Sequence, residues 1–350
     1  MLSVECQGSP YELGRQHGST AKDQVHGSIA FYKRLFHNSA QLDWSQVRRE
    51  AVKFLPYIKQ PAWTPLMEEM EGIAAGAEVD FEDILALNVR TEIAYGMFSD
   101  GCTSIAWKAQ GTSFLAQNWD WDIEQSPNLI ALRIVPSPPS HLPRIHMITE
   151  AGIIGKIGLN SAGVGVTLNA IKARGVDFAQ LPCHLALRTA LNSSSCTEAV
   201  ARLTKVGVAS ACHITIADAT TGGIGLECSH KDIVPIAMSD AGVCTHTNHF
   251  LEEHAPGVVD SHLVEDSPTR LERIRTLVAQ EGTDAAPNFE RIERYLQDEE
   301  GYPYSIYRAR ASDSTFETLF GICMDLTEKK ATVAIGVPVE KGKQKLELRP

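Results

Sequence analysis

The chain has 350 residues, of which 43% are hydrophobic and 21% charged, a composition typical of a folded globular protein. Its formal net charge of −11, without a basic stripe, argues against a nucleic-acid partner, because that affinity depends on Lys and Arg side chains that neutralise phosphates. These totals favour a small-molecule partner.

Targeting features are absent from both ends of the sequence. The N-terminal stretch MLSVECQGSPYELG lacks the basic segment and apolar core of a secretory signal, and the C-terminal KLELRP lacks a peroxisomal ending. No apolar run approaches the length of a membrane-spanning helix. We therefore expect a cytoplasmic protein without a membrane partner.

The cysteines show no paired spacing of the C-x-x-C type, which argues against a disulfide framework or a structural zinc site. We expect reduced thiols, most of them buried as small hydrophobic side chains. The eight cysteines are Cys6, Cys102, Cys183, Cys196, Cys212, Cys228, Cys244 and Cys323.

The first 98 residues predict one strand followed by helices. LSVEC alternates as a strand does, and Ser9-Pro10 begins a helical pattern that continues to residue 36. The last helix of this part begins after Asp80, a candidate cap with Asp83 three residues on. Further helices are predicted over residues 44–58, 64–75 and 81–95.

From Cys102 onward the sequence predicts short strands separated by Gly, Asn, Ser and Pro, spaced closely enough for antiparallel meanders. Helices at 183–191 and 195–206 separate this group from a second group of strands, and a helical region at 267–298 precedes the last three. Helices and strands in this order, without a linker, predict an α+β fold: a four-layer αββα sandwich forming a single domain over residues 1–350.

The junction between these two parts, SDGCTS, contains a Gly-Cys pair with specific chemical possibilities. A cysteine thiol can attack the carbonyl of a preceding glycine and move the acyl group from nitrogen to sulfur, and hydrolysis would then leave Cys102 with a free α-amine. Because that amine has a pKa of roughly 8, one residue would supply both nucleophile and base. Alone, Asp-Gly is also an ordinary turn signal, and a buried cysteine is usually a packing residue.

Two other segments can supply the surroundings of such a nucleophile. The strand TSFLAQNWDWD, if paired by a hairpin with the strand at Cys102, returns Asn118, Trp119 and Asp120 to it. Asn248, in CTHTNHF, follows an apolar run, and an amide aimed at an oxyanion can lower a barrier by roughly 3 kcal/mol. By spacing alone, a solvated loop and a turn-forming asparagine are the simpler interpretations.

Six segments together resemble the acyl-coenzyme A:isopenicillin N acyltransferase family, within the N-terminal nucleophile (Ntn) hydrolase superfamily. They are CQGSPYELGRQHGS, DGCTS, QNWDW, ITEAGIIGKIGLNSAGVGVTLNA, THTNH and YPYSIYRA, and the resemblance extends from residue 1 to about 340. It implies self-cleavage between Gly101 and Cys102 into an α chain (1–101) and a β chain (102–350) that stay together. It also implies an acyl thioester such as acyl-CoA as co-substrate, and no bound cofactor or metal.

The resemblance assigns roles to individual residues. Cys102 is the implied nucleophile for both cleavage and acyl transfer, Asp120 lies near the scissile and acyl-binding centre, and Asn248 stabilises the oxyanion. Ser104 falls where the family has a hydroxyl two residues past the nucleophile, in a substrate-binding position, and Ser229 matches a serine implicated in handling the acyl group. Ser314 matches a serine needed for processing and activity.

One residue departs from the family pattern. The family arginine that holds a substrate carboxylate is replaced here by Thr315, which cannot reproduce a bidentate guanidinium. Arg308 or Arg310 is a candidate replacement. We therefore expect retained chemistry with a different amine acceptor, in a fungal paralogue acting in secondary metabolism.

Other functions stay open from the sequence. Water can replace the amine as acceptor, which would make the protein an amidohydrolase, and an unprocessed, non-catalytic binding protein is a third possibility. A metal site at His246 and His249 ranks lower, because solvated or core histidines explain these residues more simply. A papain-like Cys-His pair would need neither the glycine nor a free amine.

Overall fold

The structure is a computed structural model that describes residues 1–94, 101–261, 264–282, 285–311, 314–336 and 345–350. Two β-sheets face each other in its centre, with helices on the outer face of each. The predicted αββα arrangement is confirmed. Within the described residues, no helix is both long and apolar enough to cross a bilayer.

The N-terminal region is one strand and a set of helices. Ser9 closes a capping box with Glu12 and so starts the first helix, but the predicted long helix is divided at Ala21. Asp80 occupies an N-cap position without capping through its side chain, which bonds Arg48 instead. The elements are β1 (Leu2–Gly8), α1 (Pro10–Thr20), α2 (Lys22–Ala40), α3 (Trp44–Val52), α4 (Leu55–Ile58), α5 (Thr64–Ala77), α6 (Phe81–Asn88) and α7 (Arg90–Ala94).

The first sheet has eight strands in the order β1-β4-β5-β6-β7-β8-β9-β10. Its strands from β4 onward are antiparallel to their neighbours, as predicted, whereas β1 joins the edge parallel to β4. The N-terminal strand is thus built into a sheet otherwise made by later residues. The further strands are β4 (Leu129–Pro136), β5 (Ile145–Glu150), β6 (Ile157–Asn160), β7 (Gly165–Ala170), β8 (Cys212–Asp218), β9 (Gly222–Cys228) and β10 (Ile233–Ile236).

The second sheet has six strands in the order β11-β2-β3-β12-β13-β14. The predicted hairpin of the strand at Cys102 with TSFLAQNWDWD is present as β2 and β3, with Gly101 opposite Asp120. The strands are β2 (Gly101–Ala109), β3 (Thr112–Asp122), β11 (Val243–His246), β12 (Phe316–Asp325), β13 (Lys330–Ile335) and β14 (Lys345–Leu348).

Four later helices complete the layers: α8 (Cys183–Leu191), α9 (Cys196–Val206), α10 (Ser267–Gln280) and α11 (Phe289–Leu296). The predicted helical region over 267–298 contains two of these helices, α10 and α11. Gly282 adopts a left-handed φ of 83° after the first, and Asn288 caps the second by accepting from Arg291 N. Pro287 directly precedes that cap and cannot continue a helix through its missing N–H.

Alternation along β2 gives the hairpin two different faces. Cys102 and Ala106 belong to the core between the sheets and the N-terminal helices, while Ile105 and Trp107 belong to a smaller core under α10 and α11. The nucleophile candidate therefore points into the interior between the sheets.

Candidate active site

Cys102 lies at the start of β2 and is fully buried. The hairpin register sets Cys102 opposite Trp119 and Gly101 opposite Asp120, so the thiol-bearing residue and the carboxylate lie at the same end of the sheet. The eight cysteines, all within the described ranges, form no disulfide. Their state agrees with the predicted reduced thiols.

Asn248 lies two residues beyond β11, which pairs with β2 and so brings it to Cys102. Its Oδ1 accepts from the backbone N of Cys102 at 2.9 Å, and its Nδ2 donates to the carbonyl of Ala170 at 3.1 Å. These partners fix the orientation of the amide, because donors face its oxygen and an acceptor faces its nitrogen. The second N–H of Nδ2 can donate to an oxyanion formed at the site.

Asp120 is fully buried between two neighbours. Its Oδ1 accepts from the Thr318 hydroxyl at 2.6 Å, and its Oδ2 lies 3.5 Å from Nε of Arg308. Burial raises the pKa of Asp120 to about 6, against the lowering effect of Arg308 and Arg270. The carboxyl group is therefore mostly ionised at pH 7 yet basic enough to exchange a proton.

The same carboxylate is packed against Gly101. A Cβ at Gly101 would lie 2.6 Å from Oδ2 of Asp120 and 3.0 Å from Nε of Arg308. Glycine is thus required by space as well as by the chemistry of the Gly-Cys bond.

Arg270, on α10, is the central site residue that the sequence analysis missed. Its guanidinium is buried and donates to the Cys102 carbonyl at 2.6 Å, to Thr103 Oγ1 at 3.0 Å and to Asn248 Oδ1 at 2.9 Å. Nε donates to Asp266 Oδ2 at 2.7 Å, four residues earlier. The available sequence signal was this Asp-Arg pair on the apolar side of an amphipathic helix.

Two further predicted residues lie at the site. Ser104 is buried and donates to Asn169 Oδ1 at 2.8 Å, two residues along β2 from Cys102. Arg308 lies beside Gly101 and Asp120 and also bonds Asp266 through Nη2. The structure thus brings Cys102, Asp120, Asn248, Ser104 and Arg308 together.

The remaining predicted residues make contacts elsewhere. Ser229 lies in the turn before β10 and bonds the Asp232 carboxylate. Ser314 accepts from Phe316 N at 3.1 Å, and the exposed Thr315 donates to Asp122 Oδ2 at 2.7 Å. Their roles stay predictions. The hydroxyl that contacts Asp120 is instead that of Thr318.

A pocket of about 630 Å³, including its open mouth, lies beside Cys102. Trp119, the cross-strand neighbour of Cys102, and Ala170, the acceptor of the Asn248 amide, both line it. Its lining is largely apolar with a few polar and cationic side chains: Arg90, Thr91, Ala94, Trp119, Trp121, Leu168, Ala170, Ile171, Lys172, Ala173, Gly175, Ser210, Ala211 and Cys212.

His246 is a buried core residue. Its Nε2 lies 2.7 Å from Glu227 Oε1, and its ring stacks on His213 with centroids 3.5 Å apart. Among the described residues, no group of three His, Cys, Asp or Glu side chains is arranged to hold a metal ion.

Comparison with known proteins identifies the family. Residues 107–340 match the family model of acyl-coenzyme A:6-aminopenicillanic acid acyl-transferase. The chain is 39% identical over 345 residues to the acyl-coenzyme A:6-aminopenicillanic-acid-acyltransferase 40 kDa form of Emericella nidulans, covering 97% of this chain and 93% of that protein.

Solved structures match the chain at low sequence identity. A mutant of conjugated bile acid hydrolase from Clostridium perfringens matches with a TM-score of 0.50 and 16% identity, over 71% of this chain and 92% of the other. Penicillin V acylase from Agrobacterium tumefaciens matches with a TM-score of 0.45 and 13% identity, over 71% and 86%. The protein is an acyltransferase that belongs to the acyl-coenzyme A:6-aminopenicillanic acid acyl-transferase family and has the αββα fold of the Ntn hydrolases.

Proposed function

We propose that this protein is a cysteine N-acyltransferase that cleaves its own Gly101–Cys102 bond and then moves an acyl group from a CoA-type thioester to an amine through acyl-Cys102. The observation that carries the proposal is the set of contacts that fixes the backbone of Gly101 and Cys102 on both sides of this bond. Asn248 accepts from the Cys102 N, Arg270 donates to the Cys102 carbonyl, and Asp120 lies against Gly101.

Self-cleavage would begin with attack of the Cys102 sulfur on the Gly101 carbonyl carbon. The thiol proton passes to the departing nitrogen of Cys102, while Asp120, which lies against Gly101 on the other face of the hairpin, holds the scissile bond in place. The C–N bond then breaks, a thioester forms, and water hydrolyses it to a Gly101 carboxylate and a Cys102 thiol with a free α-amine. Asn248 holds that nitrogen throughout.

Acyl transfer would reuse the same groups. The new α-amine takes the thiol proton, the thiolate attacks the carbonyl of the donor thioester, and the Asn248 N–H stabilises the oxyanion. The donor's thiol leaves with a proton, and an amine then attacks acyl-Cys102, which releases an amide and restores the thiol. These steps use only groups of the chain and its two substrates.

The predicted α chain would have to stay bound after cleavage, because it completes the site. Arg90, Thr91 and Ala94 line the pocket beside residues of the predicted β chain. The α chain also contributes β1, whose seven residues pair with β4. We propose that the two chains remain one folded domain.

The amine acceptor is proposed to differ from the penicillin nucleus named for the relatives. Thr315, at the position of the family arginine, bonds Asp122, and Arg308 is engaged by Asp120 and Asp266. An acceptor that needs a bidentate guanidinium at that position has none there. We place the reaction in fungal secondary metabolism, with a different amine as acceptor.

The test compares Cys102→Ala with Cys244→Ala, a buried cysteine on the neighbouring strand β11. We expect the wild type and Cys244→Ala to yield a fragment whose N-terminal sequence begins at Cys102, and Cys102→Ala to stay intact and inactive. Cleavage and acyl transfer by Cys102→Ala would refute the proposal. An acyl-CoA assay with and without a panel of amines separates amide formation from hydrolysis, and release of free acid alone would indicate the amidohydrolase.

A further inference from the structure

A buried ammonium group lies on the thiol side of the β2–β3 hairpin. Lys156 is fully buried, and its Nζ lies 3.6 Å from the ring centroid of Trp119. Trp119 is directly opposite Cys102, so their side chains leave the same face of the sheet with Cβ atoms about 5 Å apart. Lys156 therefore contacts the aromatic wall that borders the nucleophile.

The ammonium is held by a carboxylate that several elements fix. Glu150, at the end of β5, bonds Lys156 and accepts from Arg90 Nη2 at 2.8 Å, from Gln125 Nε2 at 3.1 Å and from the Tyr32 hydroxyl. Against the cost of burial, Arg90 and Lys156 hold the pKa of Glu150 well below its ordinary value. The carboxylate is thus a permanent anion, and Lys156 is oriented by it.

The charged groups that face Lys156 come from four elements. Burial lowers the pKa of Lys156 to about 8, Glu150 and Cys102 act to raise it, and Arg90 acts to lower it. His184, on α8, is held neutral by burial and by the same cations, which lower its pKa well below the ordinary value. Lys156 and Cys102 therefore influence each other's ionisation.

The other face of the hairpin carries matched charges. Arg270 and Arg308 both bond Asp266, and Arg308 also lies against Asp120. The two cations and two carboxylates on that face balance each other. On the thiol face, two cations, Arg90 and Lys156, accompany the single carboxylate of Glu150, which leaves an excess positive charge. A buried thiol ionises readily only beside a cation, because burial alone raises its pKa.

We infer that Lys156 is a positioning residue that stabilises the thiolate of Cys102 across the Trp119 wall. The inference rests on the proposed role of Cys102 as nucleophile. Lys156 forms no bond to the acyl group and stays mostly protonated at pH 7, while the thiol proton goes to the α-amine. Lys156 shifts the equilibrium of Cys102 from the neutral thiol and neutral α-amine toward the thiolate and protonated α-amine.

The experiment measures alkylation of Cys102 by iodoacetamide against pH, with the modified peptide quantified by mass spectrometry. The midpoint is the pH at which half of Cys102 is in its reactive, thiolate form. In Lys156→Met we expect this midpoint to rise by about one pH unit, which slows alkylation about tenfold at pH 7. Glu150→Gln removes the carboxylate that keeps Lys156 protonated, so its midpoint should move in the same direction as that of Lys156→Met. Lys156→Arg, which retains the charge, should stay near the wild type.

Shifts of Lys156→Met and Glu150→Gln in the same direction, with none in Lys156→Arg, support the inference, because a loss of packing alone would not be reversed by restoring the charge. An unchanged midpoint in a folded Lys156→Met, or an equal shift in Lys156→Arg, would overturn it. If Lys156→Met does not fold, Glu150→Gln decides, and its unchanged midpoint overturns the inference. Failure of the proposed function is seen separately: wild-type Cys102 is then alkylated but takes no acyl group from acyl-CoA.

Discussion

Gly101 has no room for a side chain in this site, and this gives the first residue-scale prediction. Gly101→Ala would place a Cβ 2.6 Å from Asp120 Oδ2, so either the strand or this buried carboxylate must shift and the packing around the scissile carbonyl changes. We expect self-cleavage to slow by at least about tenfold, since misplacement of reacting atoms by ~1 Å can cost about 10² in rate. Gel electrophoresis over time measures it.

Gly301→Ala is the control for stability alone. Gly301 has open space around its Cβ position but a left-handed φ of 90°, so alanine strains the backbone there without touching the site. Cleavage at the wild-type rate in Gly301→Ala and a slowed rate in Gly101→Ala are expected. Equal rates in Gly101→Ala and the wild type would show that the carbonyl tolerates the shift.

The raised pKa of Asp120 predicts a gain of stability when the charge is removed. The folded-state pKa of about 6 exceeds the ordinary value of 3.8, so the carboxyl group costs the fold about 3 kcal/mol at pH 7. That cost develops as pH rises from about 4 to above 6 and is absent below. Asp120→Asn should therefore unfold at higher denaturant concentration than the wild type at pH 7, with the gap closing toward pH 4.

Activity should change in the opposite direction in the same variant. The Asp120 carboxylate packs against Gly101, and misplacement of reacting atoms by ~1 Å can cost about 10² in rate, so Asp120→Asn should be stable but slow to process. Asp122→Asn, on the same strand, is the matched control and should show neither effect of Asp120→Asn. A difference in stability between Asp120→Asn and the wild type that widens at low pH would contradict the raised pKa of Asp120.

Helix α10 has its effect on the site through one side chain. Arg270 joins Cys102, Asn248 and Asp266 with its guanidinium, and lysine offers a single compact ammonium that cannot span these partners. Arg270→Lys should lower kcat/KM by about 10²-fold, as loss of an oxyanion-supporting contact does. Arg275→Lys, on the same helix and bonded to Thr245, should keep the wild-type value. Equal losses in both variants would indicate a general disturbance of α10.

At the scale of elements, local patterns could be read from the sequence and contacts across the chain could not. The alternation of β2 and β3, with a turn between them, predicts the hairpin that brings Asp120 to Cys102. Arg270 reaches Cys102 from 168 residues away, and Lys156 lies on the far side of Trp119. The local sequence pattern does not predict these long-range contacts, because they depend on how the helix and sheet layers pack against each other.

Helix boundaries failed for a related reason. The helical pattern continues across Ala21, so the sequence predicts one helix from residue 10 to 36 where the fold contains α1 and α2. The resemblance supplied the roles of Cys102, Asp120 and Asn248, while the positions of Ser314 and Thr315 beside Phe316 and Asp122 depended on the register of β12 with β3.

The two predicted chains must stay associated after cleavage, because both contribute residues to the pocket. A bidentate ion pair joins them: Arg188 Nη1 and Nη2 each donate to Glu69 at 2.7 Å, and both side chains are buried. Glu69→Ala leaves the guanidinium buried without its carboxylate and should lower the free energy of unfolding by about 3–5 kcal/mol.

The control for this pair is Glu71→Ala, an exposed carboxylate on the same helix, which should change stability by less than about 0.5 kcal/mol. Size-exclusion chromatography of cleaved protein at rising denaturant then follows chain separation. Separation of the Glu69→Ala chains at the wild-type concentration would mean that other contacts, such as the pairing of β1 with β4, hold the chains together.

We propose that the Cys102 sulfur performs both self-cleavage and acyl transfer. Intact-mass spectrometry of the purified protein, before and after brief exposure to an acyl-CoA, tests it directly. We predict two fragments in place of the 38.2 kDa chain, with one acyl group on the fragment that begins at Cys102 and none in Cys102→Ala. An uncleaved chain that forms amides without any acyl mass on Cys102 would contradict this role of Cys102.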